Sequence, residues 1–244
     1  MPESKDLYLD LIKDCLLNWV FQEKEPPFDA QARAEGKEWP LSPIAQTMIG
    51  SKRLLSLQQQ VERVISDQVP GDLIETGVWR GGATILMRAV LKAYGVTDRK
   101  VWVADSFRGL PAPDRKRYPR ETELRLDTVK ELAVSIEEVK ANFDRYGLLD
   151  DQVRFLPGWF RESLPKAPIE RLSLMRLDGD LYESTHVALT ELYPKLSVGG
   201  YVIVDDFALD ACRQAVEDYR AEKNIQDPIT QIDWTGVYWR RSSS

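Results

Sequence analysis

Four stretches of this sequence end an apolar run in acids: 71-GDLIET-76, 101-VWVADSF-107, 171-RLSLMRLDGD-180 and 200-GYVIVDDF-207. Runs of this length and composition predict strands buried on both faces, as in a parallel sheet covered by helices. A parallel sheet places its strand ends on one rim, so Glu75, Asp105, Asp178, Asp180, Asp205 and Asp206 are expected to share an edge. Each carboxylate costs solvation there unless something compensates its charge, and a bound ligand is one source of cations and donors.

The acids fall into two groups. Glu75 lies just before a glycine turn, Gly77, Gly81 and Gly82, which leads into the apolar helix pattern of Ile85, Leu86, Met87, Ala89 and Val90. The spacing is neither G-x-G-x-x-G nor a phosphate loop with its lysine, and an acid at the turn suits a ligand's amino group better than a pyrophosphate. Asp105, on the next strand, is placed to accept hydrogen bonds from a ribose diol, or serves as a cap or surface acid. In the second group Asp178, Asp205 and Asp206 come from two strand ends and can converge on a hard divalent cation such as Mg²⁺. The competing reading makes Asp180 and Asp206 N-caps of the helices that follow. Caps account for one aspartate per helix and leave the second of each pair unexplained.

Alternating strands and helices predict an α/β fold with a doubly wound, mostly parallel sheet. Strands are expected at 72–76, 100–107, 153–158, 171–180 and 200–207, with a closing strand around 229–240. Helices are expected at 83–95, 128–146 (apolar face Val129, Leu132, Ile136, Val139, Phe143), 183–196 and 209–222. Residues 1–70 read as a helical N-terminal extension. A first helix covers 4–22, with Leu7, Leu11, Cys15 and Trp19 recurring beside Tyr8, Ile12 and Leu16. A polar, proline-containing arm follows at 23–44, then the loop 47-TMIG-50 and a helix whose face carries Leu54, Leu57, Val61, Val64 and Ile65. The second region, 71–244, carries the sheet.

Composition removes several functions. With 33 basic against 39 acidic residues the net charge is −6, and no long basic run offers a nucleic-acid surface. No stretch of ~18 apolar residues and no signal segment is present, which predicts a soluble cytoplasmic protein without a membrane partner. Cys15 and Cys212 read as reduced, half-buried thiols, and one histidine, His186, with two scattered cysteines makes zinc a poor fit. A homo-oligomer is expected on the frequency of symmetric assemblies, with Leu7, Leu11 and Trp19 available for a sheet or a second subunit.

Together, 71-GDLIETGVWRGGA-83, 101-VWVADSFRGLP-111, 155-FLPGWF-160, 176-RLDGDLYEST-185, 194-PKLSVGGYVIVDDF-207 and 236-GVYWRR-241 resemble the macrocin O-methyltransferase family. The departures are small: Phe207 stands where tyrosine is expected, and His186 follows Thr185. The resemblance implies a class I, Rossmann-like methyltransferase that uses S-adenosylmethionine (SAM) and Mg²⁺ to methylate a sugar hydroxyl of a glycosylated small molecule, as in antibiotic biosynthesis. It assigns Glu75, Thr76 and Gly77 to the methionine end of SAM, Asp105 and Ser106 to the ribose, and Gly158 and Trp159 to the adenine. Thr47, Met48 and Ile49 would close over the cofactor. Asp178, Asp205 and Asp206 would hold the metal, with Asp178 also bordering the cofactor. Asp178 is the first choice of general base and Asp180 the second. Residues 108–127 would form a lid over the acceptor. A metal-dependent enzyme acting on a catechol or other diol would share this cluster. A nicotinamide-dependent oxidoreductase is disfavoured by the glycine spacing, and a non-catalytic scaffold by the intact acids.

Overall fold

The computed structural model describes residues 3–20 and 44–242. The end of the expected first helix, 21–22, and the arm at 23–43 lie outside them. Among the described residues a seven-stranded sheet runs in the order β3-β2-β1-β4-β5-β7-β6. Its strands are β1 (Asp72–Thr76), β2 (Val101–Asp105), β3 (Val153–Pro157), β4 (Leu172–Leu177), β5 (Leu196–Val204), β6 (Thr230–Gln231) and β7 (Val237–Arg240). β1 to β5 are parallel, and β7 joins β5 antiparallel with β6 beside it. The expected closing strand is therefore two short strands of a hairpin. The chain builds outward from β1 through β2 to β3, then returns to place β4 on β1's other side. This strand-order switch opens a crevice between the ends of β1 and β4.

Apart from a single turn at Phe160–Ser163, the α-helices of the described residues are α1 (Ser4–Leu16), α2 (Ser51–Ser66), α3 (Gly82–Ala93), α4 (Ile136–Arg145), α5 (Tyr182–Leu192) and α6 (Asp210–Glu222). They cover the sheet in two apolar layers. One layer joins Leu9, Ile12 and Leu16 of α1 and Leu54, Leu57, Val61 and Val64 of α2 to α3, Val103 and Phe143. The other joins Ile74, Met175, Val202 and Val204 to Leu189, Leu192, Val216 and Tyr219. The N-terminal helices are thus continuous with the core of the sheet.

Three expectations shift. α1 buries Leu9, Ile12 and Leu16, while Leu7 and Leu11 are more than half exposed (57 % and 55 %). Ile12 and Leu16 are buried as expected and Tyr8, Cys15 and Trp19 are half-buried, while Leu9 takes the place expected of Leu7 and Leu11. The helix expected from 128 starts at Ile136. Ser135 accepts a hydrogen bond from the Glu138 N–H at 3.2 Å, a side-chain N-cap followed by the acids Glu137 and Glu138. Leu126–Thr128 and Lys130–Leu132 form separate 3₁₀ turns, and Val129 is exposed. The carboxylates weighed as N-caps of α5 and α6 do not cap them. Leu181 and Leu209 hold those positions, without a side-chain cap.

No described helix is long and apolar enough to cross a membrane. Cys15 is half-buried, Cys212 is buried, and both are free thiols.

Candidate functional site

Backbone pairing continues one residue beyond the strands, which brings the rim residues level. Gly77 N–H donates to Ala104 O, Asp178 N–H to Thr76 O and Asp205 N–H to Leu177 O, each at 2.9 Å. Gly158 N–H donates to Asp105 O at the same distance. A cleft of about 590 Å³, its open mouth included, lies above this line. Its walls include Met48, Gly77, Asp105, Ser106, Gly158, Trp159, Asp178 and Asp180 from the sequence-derived set. Gly109, Leu110 and Pro111 of the expected lid line it too, and Trp79, Leu132, Phe160 and Gly179, to which no site role had been given from sequence, complete the lining.

The glycine turn is shaped by its own neighbours. A Cβ on Gly77 would lie 1.6 Å from the Asp178 carbonyl oxygen, and one on Gly82 would lie 2.5 Å from Gln46 O. Glycine is required at both places for close backbone approach, before any ligand enters. Elsewhere on the rim, Trp79, Phe107 and Asp180 are non-glycine residues in the left-handed region, with φ of 47°, 55° and 58°. Strained backbone of this kind concentrates at functional sites. The other described cases, Asn18, Gln68 and Asn224, lie just past the ends of helices α1, α2 and α6.

Asp105 is held by the backbone around it. Its Oδ2 accepts from Val78 N–H at 2.8 Å and its Oδ1 from Phe107 N–H at 2.7 Å. Burial raises its pKa, and these N–H groups oppose the rise. Ser106 donates its hydroxyl to Gly109 O at 2.6 Å, so it shapes the next turn. Of the three residues in the loop before α2, Met48 faces the cleft. Thr47 and Ile49 are buried, with Ile49 N–H donating to Thr47 Oγ1 at 3.2 Å. Thr76 is buried beneath the rim.

The acids of β1, β4 and β5 meet two arginines that the sequence reading had not paired with them. Arg176, buried in the middle of the sheet, is level with Glu75 across β1–β4. Its guanidinium binds Glu75, Asp205 and, at 2.7 Å, Asp178. Arg53 of α2 binds the other oxygen of Asp205, with Asp233 at 2.9 Å from its Nε. The protein itself therefore supplies part of the compensation expected from a ligand. Arg176 was visible as a lone charge in the apolar run LSLMRL, whereas nothing local marks Arg53 as a partner of Asp205.

Six carboxylates nevertheless face two guanidinium groups. Asp178, Asp205 and Asp206 each bring one carboxylate oxygen within 4.8 Å of the other two. Burial, the charge of Asp205 and opposing help from Arg176 leave the Asp178 pKa at about 6. Burial with the charges of Asp178 and Asp205 lifts Asp180 to about 7. Asp206 is pushed well up by burial and then by Asp180, Asp178 and Asp205, although its Oδ2 accepts from Asp180 N–H at 3.0 Å. Glu75 rises to about 8 through burial, against the pull of Arg176, and its Oε2 has no hydrogen-bond partner. Such a set suits two kinds of guest: a divalent cation at the aspartates, and a cationic or donor group at Glu75.

The family model described as macrocin-O-methyltransferase (TylF) matches residues 11–241. The chain is 55 % identical to the 8-demethyl-8-(2,3-dimethoxy-alpha-L-rhamnosyl)-tetracenomycin-C 4'-O-methyltransferase of Streptomyces olivaceus, covering 99 % of this chain and 95 % of that one. It is 50 % identical to the mycinamicin III 3''-O-methyltransferase of Micromonospora griseorubida, covering 98 % and 97 %. Among solved structures it matches the O-methyltransferase NovP with a TM-score of 0.92 at 52 % identity, over 98 % of this chain and 100 % of that one.

Proposed function

Since the chain belongs to the macrocin O-methyltransferase family and is therefore an O-methyltransferase, we propose that it methylates a sugar hydroxyl of a glycosylated natural product, using SAM as methyl donor and a divalent cation, Mg²⁺, held by Asp178, Asp205 and Asp206. The observation that carries this reading is the aspartate trio at the ends of β4 and β5, beside the strand-order switch, with Asp178 opening onto the cleft. The relatives' own names specify methyl transfer in tetracenomycin and mycinamicin chemistry, at a rhamnosyl-bearing compound in the first case.

SAM is consumed in the reaction and is in effect a second substrate. The unpartnered oxygen of Glu75 suits its ammonium group. Asp105, Ser106, Gly158 and Trp159 border the part of the cleft assigned to ribose and adenine, and Met48 reaches in from the loop before α2. Mg²⁺, when bound, supplies a Lewis acid that orients and acidifies a sugar hydroxyl. The chain's own residues do the rest. Arg176 and Arg53 clamp Asp205 from both sides and fix the carboxylates that face the cation. Asp178 is the first candidate to take the hydroxyl proton, and Asp180, held beside it by its hydrogen bond to Asp206, is the second. As the proton leaves, the oxygen forms its bond to the methyl carbon and the carbon–sulfur bond breaks. Its electron pair returns to sulfur, giving a neutral thioether. The walls Leu110, Pro111, Leu132 and Phe160 exclude water and hold oxygen, carbon and sulfur in line.

Titration calorimetry with SAM, with and without Mg²⁺, followed by mass spectrometry of glycosylated acceptors, tests this reading. Saturable SAM binding and a product one methyl heavier, lost in EDTA, are expected. Full turnover in EDTA removes the metal from the mechanism. No SAM binding in either condition removes the donor.

A further inference from the structure

The segment over the cleft is fastened to the body by a buried carboxylate that the reaction does not use. From Phe107 to Ser135 the chain forms no strand and only two 3₁₀ turns. Within it, Glu121 is buried, 5 % exposed, in a stretch that is otherwise largely exposed. Its Oε1 accepts from Tyr182 N–H and its Oε2 from Glu183 N–H, both at 3.0 Å. Oε1 also accepts from Thr122 N–H at 2.8 Å. Tyr182 and Glu183 are the first two residues of α5, whose own N-cap position, Leu181, offers no side-chain acceptor. The covering segment therefore caps α5 in trans, satisfying orphan donors and placing a negative charge at the positive end of the helix.

Neighbouring contacts reinforce the fastening. Arg120 binds both oxygens of Asp218 on α6, at 2.7 and 3.0 Å, and Tyr182 donates its hydroxyl to the same carboxylate at 2.9 Å. The Tyr118 ring lies 5.8 Å from that of Tyr182. The capped end of α5 continues directly from the loop 178–181, which carries Asp178 and the strained Asp180. Lid and aspartate loop thus share one anchoring point.

We propose that Glu121 is a positioning residue: a clasp that closes the 108–127 segment over the cleft by capping α5, and in closing fixes the loop that carries Asp178 and Asp180. When the segment lifts, α5 loses its cap and the loop loses its support, so the two motions are one. The clasp itself stands on the contacts above; its consequence for turnover rests on the methyltransferase reading.

Limited trypsin digestion of the full-length protein tests the clasp directly, because Arg115, Lys116 and Arg117 lie exposed in the segment. Losing a cap opens a helix end by about one order of magnitude, so Glu121→Ala is expected to speed cleavage there about tenfold. Glu121→Gln, which keeps one acceptor oxygen, should fall between. SAM affinity by calorimetry stays as in the unaltered protein, while kcat/KM for the acceptor falls about tenfold. Cleavage at the unaltered rate in a folded Glu121→Ala protein overturns the clasp. Should that variant fail to fold, Asp218→Ala breaks the Arg120 and Tyr182 contacts from the opposite side. It must then accelerate the same cleavage, and an unchanged rate overturns the proposal. Faster cleavage with unaltered acceptor kinetics overturns the positioning role and leaves a structural fastening. Faster cleavage of the Glu121→Ala protein, where the unaltered protein also methylates no sugar acceptor, keeps the clasp and defeats the reading of the reaction.

Discussion

At the β2 end of the rim, Asp105 is satisfied by backbone: two N–H groups from adjacent turns each take one of its oxygens. At the β4–β5 end, Asp178 and Asp205 contact two guanidinium groups and Asp206 accepts one N–H, and Asp178, Asp180 and Asp206 are left with pKa values well above the ordinary carboxylate range. The same kind of residue, at strand ends on one rim of the same sheet, is finished at one end and unfinished at the other. A satisfied acid can tune the shape of a turn and accept hydrogen bonds from a guest. An undercompensated cluster stores repulsion that a cation relieves. The difference is the ground for proposing the donor's sugar at the first region and the cation at the second. Glu75 lies between them, with one oxygen on Arg176 and one without a partner.

The contrast breaks most sharply at the unfinished end. Asp206 makes no contact with either arginine among the ion pairs of the described residues, so Asp206→Asn removes the charge of a proposed ligand while sparing both clamps. Turnover is expected to fall at least ~100-fold, beyond what losing an outer-shell partner costs. Mg²⁺ binding by calorimetry should be lost with it, and the melting temperature should hold or rise because one source of repulsion is gone. Retained Mg²⁺ affinity would mean that the trio is not the cation site.

The compensating arginines give the next largest effect. Arg176→Met leaves Glu75, Asp178 and Asp205 without their shared cation, and breaking a buried pair of this kind costs about 3–5 kcal/mol. Denaturant unfolding should show that loss, and Mg²⁺ should restore more stability to the variant than it adds to the unaltered protein. A loss that Mg²⁺ does not relieve would separate the arginine from the cation site and weaken the picture of one shared charge cluster.

These two regions were legible in the sequence to different depths. The rim acids could be read because each ended an apolar run, and strand ends of a parallel sheet share an edge. The α/β class and the burial of Leu54, Leu57, Val61 and Val64 followed from the same periodicities, whereas the order of the strands in the sheet did not. Arg53 could not be read as a partner, since it meets Asp205 across 152 positions of chain and nothing local encodes that pairing. Glu121 was hidden for a similar reason: it caps a helix 61 residues away. Ser135 was legible and overlooked. Ser135 followed by Glu138 is a helix start, but the apolar spacing of Val129 and Leu132 carried the expected helix too far back. Tertiary compensation is where a single sequence says least, and it is what distinguishes the two ends of this rim.

The smallest effect belongs to the finished end. Asp105→Asn keeps an acceptor for one of the two N–H groups and removes the charge, so the fold should lose little, about 1 kcal/mol for one hydrogen bond. If Asp105 also receives hydrogen bonds from the donor's ribose, the SAM dissociation constant should rise about tenfold, as expected for weakening charge-assisted bonds. Mg²⁺ affinity should not move, because Asp105 shares no partner with the aspartate trio. Calorimetry with each ligand in turn reads both numbers on one protein. An unchanged SAM constant would mean that Asp105 is spent entirely on Val78 and Phe107. The finished end would then be scaffold, and Gly158, Trp159 and the free oxygen of Glu75 would have to carry the donor by themselves.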